Sequence, residues 1–171
     1  PASPEALVTL VEAAFKTGAV LPAGLPETLM AYRGDAGGTA MEAPLRRAFI
    51  LASALQGDFA AAFAELPQAP DTAADLWSLA VAGAGDDLFL AQAVPLAAKG
   101  RPRVAPDVAL AGAQRLQDLG FPEAALAWLG PVDTASDPPR RILAARAALA
   151  LRDARAAGAL VSGMDTPDAQ A

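Results

Sequence analysis

The sequence contains no cysteine and no histidine. Disulfides, thiolate nucleophiles and imidazole bases are therefore absent, as are the usual ligands of zinc and haem. Aromatic residues make up only 5% of the chain, and no apolar run reaches the roughly 18 residues that span a bilayer. We therefore expect no catalytic residue, no cofactor, no metal site and no direct membrane insertion. Missing cysteine does not decide the compartment, which stays open between cytoplasm and periplasm.

The charge of the chain is moderate and unevenly distributed. With 19 acidic and 13 basic residues the net charge is −6, which argues against general affinity for nucleic acid or an anionic membrane. Residues 1–98 carry 4 basic and 11 acidic side chains, whereas residues 99–171 carry 9 and 8. Solvated helix faces explain this asymmetry most simply. The alternative is a basic docking patch formed by Lys99, Arg101 and Arg103, or by Arg140, Arg141 and Arg146.

Alanine dominates the apolar composition and predicts an all-α fold. The chain is 54% hydrophobic over 171 residues, enough for the core of one domain. Alanine is the best helix former but buries little area, so thin layers of closely spaced helices are expected. Valine and isoleucine are sparse, and no run alternates apolar and polar residues as a half-buried strand does. We predict no sheet.

Helix start and stop signals recur at short intervals and predict about ten helices. Ser3-Pro4-Glu5 combines an N-cap, a first-turn proline and an acidic residue, and Asp137-Pro138 is a similar start. Thr72 and Asp75 have the spacing of a capping box. The predicted single domain, 1–171, comprises two N-terminal capping helices in 1–40, helical hairpins in 44–161 and a polar tail in 162–171.

The predicted hairpin turns repeat. Residues 57–66, Gly-Asp-Phe-Ala-Ala-Ala-Phe-Ala-Glu-Leu, parallel residues 120–129 and 152–161, and a looser version begins at Gly85. The turn positions 57, 85, 120 and 152 are 28, 35 and 32 residues apart. One helical pair cannot bury its apolar face alone, so stacked pairs are expected, with alanines allowing close approach.

The Gly-Asp-Phe-x-x-Ala turn of residues 57–62 and the Gly-Phe-Pro-Glu-Ala-Ala turn of residues 120–125 resemble the turn of a tetratricopeptide repeat, whose period is near 34. The resemblance implies a right-handed superhelical stack of antiparallel helical hairpins. It also implies a scaffold that binds proteins or peptides along a concave face built from the first helix of each pair. On that register the partner-binding residues are Arg47, Asp107, Gln114, Gln117 and Arg146.

Other motifs have simpler structural interpretations. Residues 83–88 begin like a dinucleotide fingerprint but follow a helix, and Arg33-Gly34-Asp35 is explained by a glycine at a helix end. Capping explains the carboxylates of Asp71, Asp75, Asp86 and Asp87. Core packing is expected for Phe59, Phe63, Trp77, Phe89, Phe121 and Trp128, whereas residues 88–90 are the segment in which we expect an adhesive surface.

The sequence favours a non-catalytic interaction or assembly scaffold with a protein or peptide partner. A start at Pro1 and an Ala, Gly, Pro and Arg bias lead us to expect a piece of a larger bacterial protein. One alternative is a helical accessory domain of an enzyme such as a lytic transglycosylase. The other is a structural homo-oligomer that stacks through its terminal repeats.

Overall fold

The computed structural model describes residues 2–164, which form ten α-helices and no strand. The all-α prediction is confirmed. Two short 3-10 helices, Leu66–Gln68 and Pro70–Thr72, precede the fifth α-helix. Residues 165–171 of the predicted polar tail lie outside the described residues. The helices are α1 (Pro4–Thr17), α2 (Leu25–Asp35), α3 (Glu42–Leu55), α4 (Phe59–Glu65), α5 (Ala73–Gly83), α6 (Asp86–Ala98), α7 (Pro106–Asp118), α8 (Pro122–Leu129), α9 (Pro138–Ala150) and α10 (Ala154–Val161).

Side-chain caps start several of these helices. The side chains of Ser3 and Asp137 accept hydrogen bonds from the backbone N–H three residues later, at 3.2 and 3.1 Å. The predicted capping box at Thr72 is wrong: Thr72 ends a 3-10 helix, is buried, and makes no side-chain cap. Its expected partner Asp75 instead pairs with Arg47. Long-range ion pairing therefore replaces the local cap.

Three of the four predicted turns have the same backbone geometry. Gly57, Gly120 and Arg152 adopt the left-handed conformation, with φ of 85°, 88° and 63°. In each turn the following N–H donates to the carbonyl five residues earlier, at 2.8, 2.8 and 2.9 Å. This pattern satisfies carbonyls left free at a helix end. The turn at Gly85 differs, since Ala84 before it is extended and Gly85 has no positive φ.

The chain divides into two compact units, residues 1–88 and 89–171. In the first unit α1 and α2 pack on α3, and α3 also contacts α4 and α5. In the second unit α7 contacts α8 and α9, α8 contacts α9, and α9 packs on α10. Helices two apart along the chain therefore touch within each unit, at α1–α3, α3–α5 and α7–α9.

Aromatic side chains fill the space between these helices. In the first unit the rings of Phe63 and Trp77 lie 5.0 Å apart. In the second unit Trp128 is fully buried, lies 6.2 Å from Phe89 and donates from Nε1 to the carbonyl of Ala93 at 3.3 Å.

The core prediction is confirmed for five of its six aromatics. Phe59, Phe63, Trp77, Phe89 and Trp128 are buried, whereas Phe121 is 37% exposed. Phe121 precedes the first turn of α8 and stands at the hairpin turn. Phe89 is completely buried, so the adhesive surface expected at residues 88–90 is wrong for its central residue.

Candidate functional site

Arg47 connects three helices of the first unit, α1, α3 and α5. From α3 its Nε and Nη2 donate to the two carboxylate oxygens of Glu12 on α1, at 2.7 and 3.3 Å. Its Nη1 lies 2.7 Å from Oδ2 of Asp75 on α5. The planar guanidinium suits this two-sided arrangement because its donors are held in a rigid fork. We call the trio of Glu12, Arg47 and Asp75 the brace.

The brace keeps its cation charged. The hydrogen bond with Glu12 raises the pKa of Arg47, partial burial opposes that rise, and the hydrogen bond with Asp75 adds to it. Two carboxylates thus share one guanidinium, and the side chain of Arg47 is about 30% exposed. Arg47 is the predicted partner-binding residue of the first unit, and here its donors already have intramolecular acceptors.

A second ionic cluster, formed by Arg33, Glu42, Arg46 and Glu65, lies on the same unit. Arg46 donates to Glu65 at 2.8 Å and to Glu42 at 3.1 Å. Nη1 of Arg33 approaches Oε1 of Glu65 at 2.6 Å as an ion pair without hydrogen-bond geometry. The hydrogen bond from the Gly38 N–H is the main cause that lowers the pKa of Glu42, and Arg46 lowers it further. The Glu42 carboxylate is therefore held ionised.

A cleft of about 670 Å3 opens beside the brace. Val8 and Glu12 of α1, Thr39, the first turns of α3, and residues 68–72 line it. The 3-10 segment that replaces the expected cap at Thr72 supplies one wall. Small apolar side chains line the cleft together with Glu12, Glu42, Arg46 and Arg47, which are held by ion pairs, and with exposed Asp71. We call this the brace cleft, and its size suits a short stretch of polypeptide.

The other four predicted partner-binding residues lie in the second unit. Asp107 and Arg146 are exposed on α7 and α9, and no partner for either appears among the described residues. Gln114 is half-buried and its amide donates to Asp118 at 2.7 Å. Gln117 has a buried side-chain oxygen without a hydrogen-bond partner within residues 2–164. Asp107, Gln114 and Gln117 thus share helix α7, which contacts α9, the helix of Arg146.

The predicted basic patch at Arg140, Arg141 and Arg146 is largely used internally. Arg140 donates to the carbonyl of Leu129 at the end of α8. Arg141, only 8% exposed, donates to the carbonyls of Leu160 and Ser162 at 2.7 and 2.9 Å. Both arginines satisfy carbonyls at helix ends, where a cation is also favoured by the helix dipole. Only Arg146 of this set presents an exposed side chain.

The remaining motifs have structural roles, but the helix-end explanation of Gly34 is wrong. A Cβ at Gly83 would lie 2.7 Å from the ring of Phe59, so close packing requires glycine there. Gly34 lies inside α2 rather than at its end, since the helix continues to Asp35. The described residues contain no group of three or more acidic side chains arranged to hold a metal ion. None of their helices is both long and apolar enough to cross a bilayer.

Sequence reasoning found Arg47 but missed its partners. Glu12 precedes it by 35 residues and Asp75 follows it by 28, so opposite charges lie about one predicted repeat away on either side. Charges separated by about one repeat are the signal that could have identified the brace. Comparison of the chain with protein-family models, curated proteins and solved structures gives no match.

Proposed function

We propose that this chain is a non-catalytic interaction or assembly scaffold of the tetratricopeptide-like kind, and that the brace cleft receives a segment of a partner protein. The recurrence of one turn geometry at residues 57, 120 and 152 supports the repeat interpretation. Contacts between neighbouring first helices within each unit support it as well. Stacked helical pairs of this kind build extended binding surfaces.

The brace is the observation that carries the proposal. Arg47 ties α1, α3 and α5 together, and we expect the cleft beside it to be preorganised before any partner arrives. A preorganised surface loses less conformational entropy on binding than a mobile one. Exposed Ala43 and Pro70, together with Val8, offer apolar contact, whereas the exposed Gln68 amide offers hydrogen bonds to a peptide backbone.

The chemistry of the cleft argues for binding rather than catalysis. Both oxygens of Glu12 accept hydrogen bonds from Arg47, and the lowered pKa of Glu42 keeps that group from acting as an acid near neutral pH. The chain has no histidine or cysteine to serve as base or nucleophile. Fixed charges and small apolar side chains are what peptide recognition needs.

Filling the brace cleft tests the proposal. Ala43 is an exposed residue in the first turn of α3, and Ala43→Trp would occupy the cleft without entering the core. Ala64→Trp, at an exposed position of α4 that does not line the cleft, is the matched control. Tagged wild-type chain and both variants are expressed in the source organism, cross-linked and purified, with circular dichroism to verify folding.

We expect a dominant cross-linked protein with the wild type and with Ala64→Trp, and its loss with Ala43→Trp. Equal recovery by the two variants would show that the brace cleft is not the binding surface. Recovery of no partner by any folded form would contradict the scaffold function.

A further inference from the structure

The first unit contains a second cleft, of about 430 Å3, between α2, α3 and α4. Pro26, Met30 and Phe49 supply apolar surface, and Met30 is 40% exposed. Glu27 and Asp58 are exposed and also line the cleft. The cleft therefore combines an apolar surface with two acidic side chains.

Ser53 gives this cleft an unsatisfied polar group. The residue lies on α3, lines the cleft and is only 1% exposed. A serine inside a helix commonly donates to the carbonyl four residues earlier, yet Oγ of Ser53 has no hydrogen-bond partner within the described residues. A buried hydroxyl without a partner is unfavourable because it has lost its water. A ligand that donates a hydrogen bond to Oγ would relieve part of that penalty.

No basic side chain of the lining neutralises the negative charge of this cleft. Glu27 and Asp58 are its ionisable side chains, and no arginine or lysine lines the cleft. Asp58 accepts a hydrogen bond from the Ala61 N–H with one carboxylate oxygen, at 3.0 Å. Arg33 lies over the Phe49 ring, with Cζ 5.7 Å from the centroid, but is ion-paired with Glu65. Residues 1–88 contain 4 basic and 11 acidic side chains, so the surrounding field also favours a cation.

We propose that this cleft, the Ser53 cleft, binds a lysine or arginine side chain from a basic segment of a partner protein. The aliphatic stem packs on Pro26, Met30 and Phe49, and the cationic head meets Glu27 and Asp58. The head donates a hydrogen bond to Oγ of Ser53. An anion is repelled here, and a wholly apolar group leaves both the hydroxyl and the carboxylates unsatisfied. The inference rests on the scaffold function and adds the chemistry of the partner.

The test uses the full chain and two blocked heptapeptides of glycine and alanine, one with a central lysine and one with norleucine. Binding is followed by the amide NMR shifts of residues 27–30 and 53–61. We expect saturable binding about tenfold tighter for the lysine peptide, since charge-assisted hydrogen bonds are the stronger class. The double variant with Glu27→Gln and Asp58→Asn is expected to weaken binding of the lysine peptide about tenfold, because both negative charges are lost. Asparagine is chosen at residue 58 because it retains the helix cap.

Two further variants distinguish binding at this site from a general electrostatic attraction and from an effect on folding. Glu5→Gln removes a first-turn carboxylate of α1 and is expected to leave binding unchanged. Ser53→Ala is expected to weaken binding about threefold while the melting temperature stays the same or rises, because the unsatisfied hydroxyl is gone. If Ser53 had only a structural role, its replacement would not weaken binding while leaving stability unchanged or raising it.

Equal binding of both peptides, or equal loss with Glu5→Gln and with the cleft variants, would overturn the inference. Binding of neither peptide would overturn it as well. Ala43→Trp should still bind the lysine peptide, since Ala43 does not line the Ser53 cleft. If the lysine peptide does not bind but the wild-type chain still cross-links to a partner through the brace cleft, only the proposal of a cationic partner is refuted. If no partner is cross-linked, the scaffold function is refuted.

Discussion

Gly112 on α7 lies directly against the indole of Trp128 on α8. A Cβ on Gly112 would be 2.3 Å from Cζ3 and 2.4 Å from Cε3 of the indole, well inside contact distance. Trp128 is fully buried and hydrogen-bonded to the carbonyl of Ala93, so it has little room to move. The absent side chain is therefore what lets α7 and α8 approach.

Gly112→Ala is expected to destabilise the second unit by up to about 2 kcal/mol. Overpacking costs about 1–3 kcal/mol, and the better helix propensity of alanine returns about 1 kcal/mol. Gly158→Ala is the matched control, since a Cβ on Gly158 in α10 meets no atom within 4 Å. It should stabilise by about 0.5–1 kcal/mol. Urea unfolding followed by circular dichroism measures both, and a stabilising Gly112→Ala would contradict the contact.

Arg47→Met retains the aliphatic stem and removes the brace. We expect the first unit to lose about 1–2 kcal/mol in its free energy of unfolding, because Glu12 and Asp75 are left without their cation. The loss should shrink in 1 M salt, which screens partly exposed charges. Arg47→Lys should retain only part of the stability that Arg47→Met loses, since a lysine cannot match the forked geometry of the guanidinium.

Lys16→Met, at an exposed residue in the last turn of α1, is the control for charge removal. It is expected to change stability by less than about 0.5 kcal/mol. Equal effects of Lys16→Met and Arg47→Met in urea unfolding would mean that the brace contributes no specific stability.

The Glu42 carboxyl is expected to titrate below its ordinary pKa of 4.5. Since the folded pKa is the lower one, the stabilisation is complete above about 4.5 and is lost as the pH falls through the folded pKa. Carbon NMR of the side-chain carboxyl measures the midpoint. Arg46→Met should return the pKa only part of the way, because the Gly38 N–H is the larger cause. A full return of the Glu42 pKa to its ordinary value would show that Arg46, and not the Gly38 N–H, causes the shift.

Much of the fold was predictable because its signals are local. Proline, glycine and capping aspartate positions mark the helices, and the turns at 57, 120 and 152 depend on hydrogen bonds within seven consecutive residues. The cap at Thr72 failed because Asp75 has a better partner in Arg47 on another helix. The exposure of Phe121 was missed for the same reason: packing between helices, not periodicity along one helix, decides it.

The candidate site was less accessible to sequence reasoning. The repeat register placed Arg47 on a first helix, but nothing in its neighbourhood along the chain reveals that Glu12 and Asp75 flank it. In the sequence, Ser53 is likewise only one small residue in an alanine-rich helix. Only the three-dimensional arrangement shows that its hydroxyl has no partner among the described residues.

Arg152 occupies the left-handed position that glycine holds in the two equivalent turns. Arg152→Gly is expected to stabilise by about 0.5–1 kcal/mol, because a left-handed backbone costs an L-residue about 1–2 kcal/mol and glycine loses part of that gain in entropy. Arg155→Gly, inside α10, is the matched control and should destabilise by about 1 kcal/mol. Thermal unfolding gives both values. The same sign for both changes would contradict the turn geometry.

Arg141 joins the start of α9 to the end of α10 through the carbonyls of Leu160 and Ser162. Arg141→Met keeps the buried stem but leaves both carbonyls without their donor, so we expect a loss of about 2 kcal/mol, typical of hydrogen bonds to a charged group. Hydrogen exchange should accelerate in α10 more than in α7. Arg146→Met, at an exposed position of the same helix, should change neither quantity appreciably. Unchanged exchange in α10 of the Arg141 variant would show that the helix end is held by its apolar face alone, through Ala157 and Leu160.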